Sequence, residues 1–351
     1  MRRTARAILH PDALVHNFNR VKQLAPQSRI MAVIKADAYG HGMIQTAKTL
    51  HMADGFAVAC IKEALALREA EVQQPITVFQ GFHSAEELQQ AIKYQLRPVV
   101  SQYHQLELLE QNQQGKLAAW LKVNTGMGRL GVAPEACLDY WQRLQQCNTV
   151  TEAGLMSHFA NADEPGNSTN QQQINLFKQL TTSIQAETTL SNSAAIVAFP
   201  DIQADWVRPG IMLYGSSPLV NQSAEKLGLR PVMQLESDII AINMLKKGDA
   251  VGYGGEWVCP EDMPVGVVAI GYGDGYPRHA KTGTPVRVNQ QTAQLLGRVS
   301  MDMITIDLRD VESVSVGDTV ELWGEHISVD TVAQCAGTIG YELLCRMSVN
   351  R

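Results

Sequence analysis

None of the six cysteines in this 351-residue chain sits in a Cys-x-x-Cys pair or at metal-binding spacing from a histidine. That excludes a structural zinc site and a disulfide framework. Cys60, Cys137, Cys147, Cys259, Cys335 and Cys345 read as buried thiols in a reducing cytoplasm. Basic charge is also in short supply. With 29 Lys and Arg against 35 Asp and Glu the net charge is -6, and no basic stripe marks a nucleic-acid partner. The longest apolar runs, such as VGVVAI (Val265 to Ile270), fall far short of the roughly 20 residues a membrane helix needs. The basic start MRRTARAILH leads into no apolar segment of signal-peptide length. What remains, 45% hydrophobic and 18% charged, is an ordinary globular composition in a chain long enough for two domains.

From about Ile30 to Tyr214, short apolar runs alternate with longer amphipathic stretches. The runs are MAVIKA (from Met31), GFAVAC (Gly55), ITVFQG (Ile76), RPVVS (Arg97), AAWLKVN (Ala118), EAGLMSHF (Glu152), TTLSNSA (Thr188) and DWVRPGIMLYG (Asp205). Helical patterns lie between them, among them IKEALALREAEV from Ile61 and SAEELQQAIKYQ, whose SAEE (Ser84 to Glu87) is a capping box. The tract NQQQ (Asn170 to Gln173) reads as a solvated first helical turn. Alternation of this kind means parallel βαβ units, and eight repeats favour a closed barrel. A doubly wound sheet would carry G-x-G-x-x-G after its first strand, and KADAYG (from Lys35) is not that.

From Arg230 onward the text turns extended and turn-punctuated, with KKGD and VGDT as turn signals and only Val329 to Gly337 reading as helix. The expected fold class is therefore α/β: a (β/α)8 TIM-type barrel over residues 1–231, followed by a C-terminal all-β domain over 232–351. Residues 1–10 are candidates to pair with the β domain, and the polar segment Asn221 to Lys226 is the expected linker.

Barrel enzymes keep their chemistry at the C-terminal ends of the strands, so polar strand ends are the candidates. Lys35 ends the first strand, Lys122 to Asn124 the fifth, His158 the sixth, Ser193 the seventh and Arg208 the eighth. An amine in an apolar barrel mouth loses proton affinity through desolvation, as a Schiff-base lysine requires. Ser193 opening a helix, with RPGI after the last strand, resembles a phosphate cradle. A carbonyl-reactive lysine beside such a cradle suggests pyridoxal 5'-phosphate (PLP).

The motifs VIKADAYGHG, LKVNTGMGRLG, MSHFANADE, SNSAA, VRPGIMLYG, VGYGGEW, AIGYGDGYPR, LGRVSMDMITID and GYELLCRMS occur in an order that resembles the alanine racemases, barrel-type PLP enzymes, over essentially the whole chain. The resemblance implies that Lys35 carries the cofactor and acts as base on the D-alanine face, with Tyr253 as base on the L-alanine face. A free tyrosine has a pKa near 10, so its phenolate needs cations nearby; His158 and Arg208 are the implied polarising chain. Arg208 would face the pyridine nitrogen and leave it unprotonated. Tyr39, Asn192, Ser193, Gly210, Ile211 and Tyr341 would hold the cofactor, and Arg129 the substrate carboxylate. Lys122 stands where many relatives carry a carbamate. Met301, Asp302 and Tyr272 would shape the substrate pocket, reaching across a homodimer whose active sites are shared, and GYGDG (from Gly271) would be a gate loop.

The implied reaction is interconversion of L- and D-alanine, supplying D-alanine for cell-wall peptidoglycan, or for catabolism, in a bacterial cytoplasm. A broad-specificity amino-acid racemase remains the alternative. A decarboxylase on this scaffold would present a carboxylate to the pyridine nitrogen, where VRPG offers Arg208. Single-domain PLP carriers lack the segment that holds VGYGGEW.

Overall fold

The computed structural model describes residues 4–347. Strand β1 (Arg6–Leu9) precedes the barrel, which closes through β2 (Arg29–Val33), β3 (Gly55–Val58), β4 (Ile76–Val78), β5 (Leu96–Val100), β6 (Leu117–Lys122), β7 (Val150–Met156), β8 (Thr188–Asn192) and β9 (Trp206–Arg208). Each pairs in parallel with the next, and β2 with β9. Parallel strands are covered on both faces, which is why they appear in the sequence as continuous apolar runs.

The second unit is built on β10 (Met233–Leu245), β13 (Met263–Val268), β14 (Pro285–Val288), β15 (Gln291–Leu296), β16 (Ile304–Asp307) and β17 (Thr319–Trp323). A small hairpin of β11 (Ala250–Val251) and β12 (Trp257–Val258) lies apart from that sheet. The sheet order is β1-β10-β13-β16-β15-β14-β17, with β10 also pairing β17. Its edge strand β1 thus comes from the other end of the chain, with Ala7 opposite Leu235, and Arg6 bonds Glu236 and Asp238.

Half of the capping box is present: the Ser84 hydroxyl accepts from Glu87 N at 3.3 Å at the start of Ala85–Lys93, while the Glu87 carboxylate accepts from His83 N at 2.7 Å, one residue before the N-cap. Other expectations need correction. NQQQ is solvated only at its middle: Gln171 and Gln172 are exposed, but Asn170 and Gln173 are each 2% exposed. Within the segment Asn221 to Lys226 only Ala224 is buried, the other five residues being exposed, and the chain is fastened just beyond it, where Arg20 Nε donates to Leu227 O at 3.0 Å. A second helix, Gly340–Arg346, follows Val329–Cys335. It escapes the sequence because its N-cap, Ile339, has no side chain that can accept a bond. Among the described cysteines, Cys345 is exposed and Cys60 and Cys335 are half-buried.

The first barrel strand also ends sooner than expected. It stops at Val33, and Lys35 instead opens a turn of left-handed backbone: Ala36, Asp37, Ala38 and Tyr39 have φ of 53°, 51°, 54° and 54°. Such backbone costs non-glycine residues roughly 1–2 kcal/mol each, so other contacts must hold it. Glu63 Oε1 accepts from Ala36 N at 2.8 Å and Asp37 Oδ1 from Met43 N at 2.7 Å. His41 donates from Nδ1 to the carbonyls of Ala38 (3.0 Å) and Tyr39 (2.9 Å), its ring 4.7 Å from that of Tyr214.

Burial lowers the pKa of His41 to about 4. The folded chain therefore favours neutral His41, whereas the unfolded chain protonates near pH 6.5. Stability contributed by the neutral form is present above pH 6.5 and is lost as the pH falls from there toward 4. Between pH 7 and 5 the loss should be roughly 2 kcal/mol. Urea unfolding of the parent and His41→Asn at both pH values checks this; the variant should show a loss smaller by about that amount.

Candidate active site

At the C-terminal mouth of the barrel, Lys35 follows β2, Lys122 ends β6, His158 follows β7, Asn192 ends β8 and Arg208 ends β9. Lys35, Lys122, Arg129, His158 and Arg208 line one cavity of about 290 Å³, together with Phe79, Gln80 and Met156. No carboxylate is among its lining residues. Lys35 is half-buried, with Nζ 5.9 Å from the Phe79 ring centre. Desolvation first, and Arg129 second, lower its pKa below the usual amine range. Lys122 is driven to about 8 by burial and then by Arg208, Arg129 and Lys35. Arg129 itself is exposed at the rim.

Arg208 is 3% exposed. It donates from Nη1 to Thr189 Oγ1 (2.6 Å), and from Nη2 to Ser157 O (2.7 Å), Leu190 O (3.2 Å) and His158 Nδ1 (3.1 Å). None of these partners is a carboxylate. Burial lowers its pKa to about 9, which leaves it charged at neutral pH. His158 is held neutral: burial and then Arg208 push its pKa well below the usual imidazole value. Because Nδ1 accepts from Arg208, the ring proton sits on Nε2.

Beside this cationic cluster lies a set of neutral donors. Asn192 caps the helix Ser193–Ala198, its Oδ1 accepting from Ala195 N at 2.9 Å. The Ser193 hydroxyl accepts from the amides of Gly210 (2.8 Å) and Met212 (3.5 Å), on either side of Ile211. Gly210 is required by space, since a Cβ there would lie 2.5 Å from the Tyr39 hydroxyl. Tyr341, on the helix missed in the sequence, sets its ring 6.1 Å from that of Tyr39. Gly40, at φ 83°, lets that helix approach, for a Cβ would meet Leu344 O at 2.3 Å.

The remaining candidates lie on the second unit, and none lines the cavity. Tyr253 is 70% exposed at the tip of the β11–β12 hairpin, which sits on Val251, Cys259, Met263, Val265 and Leu296. Tyr272 and Met301 are also exposed, and their segments are joined by Tyr272 N to Ser300 O (3.0 Å) and Gly273 N to Met301 O (2.8 Å). Asp302 is exposed on the same loop. Sequence reasoning overlooked Glu63, His41, Thr125, Ser157 and Gln173; of these only Gln173 stood in a tract noticed for composition.

Two family models match the chain, the alanine racemase N-terminal domain over residues 9–218 and the alanine racemase C-terminal domain over 232–351. The chain belongs to the alanine racemase family. The family assignment makes it an isomerase that racemises alanine. It is 48% identical to the alanine racemase of Nitrosomonas eutropha over 352 residues, covering 99% of this chain and 98% of that one. To the Vibrio cholerae alanine racemase it is also 48% identical, covering 99% and 96%. The crystal structure of the biosynthetic alanine racemase from Pseudomonas aeruginosa superposes with a TM-score of 0.96 at 42% identity, over 99% of this chain and 98% of that one. The closed barrel and separate β domain are thus the family's architecture. No helix among the described residues is long and apolar enough to cross a membrane.

Proposed function

We propose that the chain racemises alanine by a PLP-dependent, two-base mechanism in a cytoplasmic homodimer, supplying D-alanine for peptidoglycan or for catabolism. The observation that carries this reading is the pairing of donor sets at one barrel mouth. The Ser193 hydroxyl, the Gly210 amide and the Tyr39 hydroxyl crowd together at one side, in a gap that a single Cβ would fill. The amine of Lys35 and the guanidinium of Arg208 share the adjoining cavity. Hydroxyl and N–H donors suit a phosphate, and an amine of lowered proton affinity suits an aldehyde. The residues present therefore fit PLP, with Tyr39, Asn192, Ser193, Gly210, Ile211 and Tyr341 around its phosphate and Lys35 at its aldehyde.

When bound, PLP supplies the electron sink that lets the Cα proton of alanine leave. Arg208, held by carbonyls, a hydroxyl and His158 rather than by an acid, would bring a positive charge to the pyridine nitrogen without protonating it. Arg129 at the rim binds the substrate carboxylate. Lys35 Nζ takes or returns the proton on the D-alanine face, and the Tyr253 hydroxyl does so on the L-alanine face. Tyr253, exposed and absent from its own chain's cavity lining, would cross into the cavity of a second copy, where His158 and Arg208 would polarise it. Tyr272, Met301 and Asp302 would cross with it and narrow the pocket to the size of alanine.

Lys122, an amine near pKa 8 among cations, completes the site as a carbamate. The neutral amine adds CO2 and releases a proton, giving an anion that pairs with Arg129. A mass gain of one CO2 at Lys122 is expected. The function as a whole is tested by coupling PLP-loaded protein to D-amino acid oxidase with L-alanine, L-serine and larger L-amino acids. Turnover of alanine above the others is expected; even turnover across them would favour a broad-specificity racemase, and turnover of none would sink the proposal.

A further inference from the structure

The tract NQQQ conceals a residue that the reading above does not use. Gln173 lies on the helix Ser168–Ser183, outside the barrel wall and away from the cavity lining. Every polar atom of its side chain amide is nonetheless engaged. Oε1 accepts from Ala160 N at 2.9 Å, while Nε2 donates to His158 O at 3.0 Å and to Thr125 Oγ1 at 3.1 Å.

From Thr125 the bonds continue in one direction. Ser157 donates its only hydroxyl proton to Val123 O at 2.9 Å, so at the 2.8 Å contact between the two hydroxyls Thr125 is the donor. Ser157 O in turn accepts from Arg208 Nη2 at 2.7 Å. The donor chain thus runs from Gln173 through Thr125 and the Ser157 hydroxyl to Val123 O, while the Arg208 bond falls separately on the backbone carbonyl of Ser157. Aligned buried bonds of this kind reinforce one another. Packing adds a second tie, because a Cβ on Gly126 would lie 3.3 Å from Gln173 Cγ. Asn124 Oδ1 secures the same loop from within, accepting from Gly126 N (3.2 Å) and Gly128 N (2.9 Å) just before Arg129.

We propose that Gln173 is a positioning residue for racemisation: its amide locks the Thr125–Arg129 loop to the Ser157–Ala160 segment and thereby sets His158, Arg208 and Arg129 in mutual register. The inference rests on the roles proposed above for those three residues. No single charged or apolar residue can replace the amide. Glutamate at 173 retains an acceptor for Ala160 N but turns a second oxygen toward the His158 carbonyl. Methionine fills the volume and leaves the Ala160 N–H without its partner.

Asn170 provides the control. It is as buried as Gln173 and lies one turn earlier on the same helix, yet its Nδ2 bonds Asn161 O (2.9 Å) and Glu164 O (3.0 Å), away from the site. The experiment compares the PLP-loaded parent with Gln173→Met, Gln173→Glu and Asn170→Ala. It measures kcat and KM for L-alanine, cofactor absorbance, and amide hydrogen exchange.

Misplacement of about 1 Å costs on the order of 100-fold in rate, so both Gln173 variants should lose roughly 10- to 100-fold in kcat and bind alanine more weakly. The cofactor should stay bound in full, since its phosphate donors do not touch Gln173, but with a shifted absorbance band. Exchange should rise in residues 124–131 and 158–160. Asn170→Ala should speed exchange only around 161–167 and keep both kinetic constants within about 2-fold. Parental constants in both Gln173 variants, or equal losses in Asn170→Ala, would overturn the proposal. A parent that failed to bind PLP or racemise alanine would overturn the function instead, and the exchange at 124–131 and 158–160 would still decide the coupling.

Discussion

Lys35→Ala is expected to lower racemisation by more than about 10^4-fold, because in the proposed mechanism one substitution removes both the anchor of the cofactor and the base on one face of the substrate. A single positioned acid or base contributes roughly 10^2- to 10^4-fold, and the lost attachment adds to that. The variant should still fold. Lys35 is half-buried at the start of a turn whose hydrogen bonds come from Glu63, Asp37 and His41, not from the lysine side chain. Removing an amine that burial and Arg129 already disfavour as a cation should be neutral or mildly stabilising. The decisive combination is circular dichroism and unfolding midpoint like the parent's, with PLP retained only non-covalently through the Ser193 and Gly210 donors. Added methylamine should recover part of the activity; a variant that racemised at more than about a tenth of the parental rate would place the anchoring amine elsewhere.

Tyr253→Phe should be milder overall and more informative in detail. A fall of roughly 10^3-fold in racemisation is expected in both directions, as for loss of one acid–base group. Proton exchange should separate the two faces. In D2O the variant should still wash the Cα proton out of D-alanine through Lys35, without inversion, while exchange from L-alanine should collapse. The test is one-dimensional proton NMR of each enantiomer over time. The substitution removes one exposed hydroxyl from a hairpin seated on its own apolar cluster, so stability should move by less than about 0.5 kcal/mol. Equal washout from both enantiomers would remove Tyr253 from the L-face role. On the proposed homodimer with shared sites, mixing Tyr253→Phe with Lys35→Ala should regenerate one intact site per mixed dimer, since each chain would keep the base the other lacks.

The barrel was legible because its strands are buried on both faces, so the apolar runs from Met31 to Tyr214 survive as a simple pattern. Polar strand ends such as Lys122 and Arg208 stood out against that pattern for the same reason. Features held by distant partners did not. Nothing local marks Ala36 to Tyr39 as left-handed; the turn depends on Glu63, a helix away, and on His41 packed against Tyr214. The helix bearing Tyr341 lacks a side-chain cap and is held instead by its approach to Gly40. Gln173 looked like a solvated residue because its partners, Thr125 and His158, belong to two other loops. Composition reports local preference, and a buried amide among remote carbonyls has none.

The pairing of β1 with β10 bears on the order in which this chain can fold. Arg6 meets Glu236 and Asp238, partners more than two hundred residues downstream. During synthesis the first strand therefore waits, with its backbone N–H and C=O groups unpaired, until the whole barrel and the start of the sheet have left the ribosome. Contacts of such long sequence separation come late because their loop-closure entropy must be met first. A fragment ending near Pro231 would keep the barrel strands but strand Arg6–Leu9 as an open edge, the kind of surface that recruits other chains. The barrel can form early; the N-terminus is secured only when the second unit arrives.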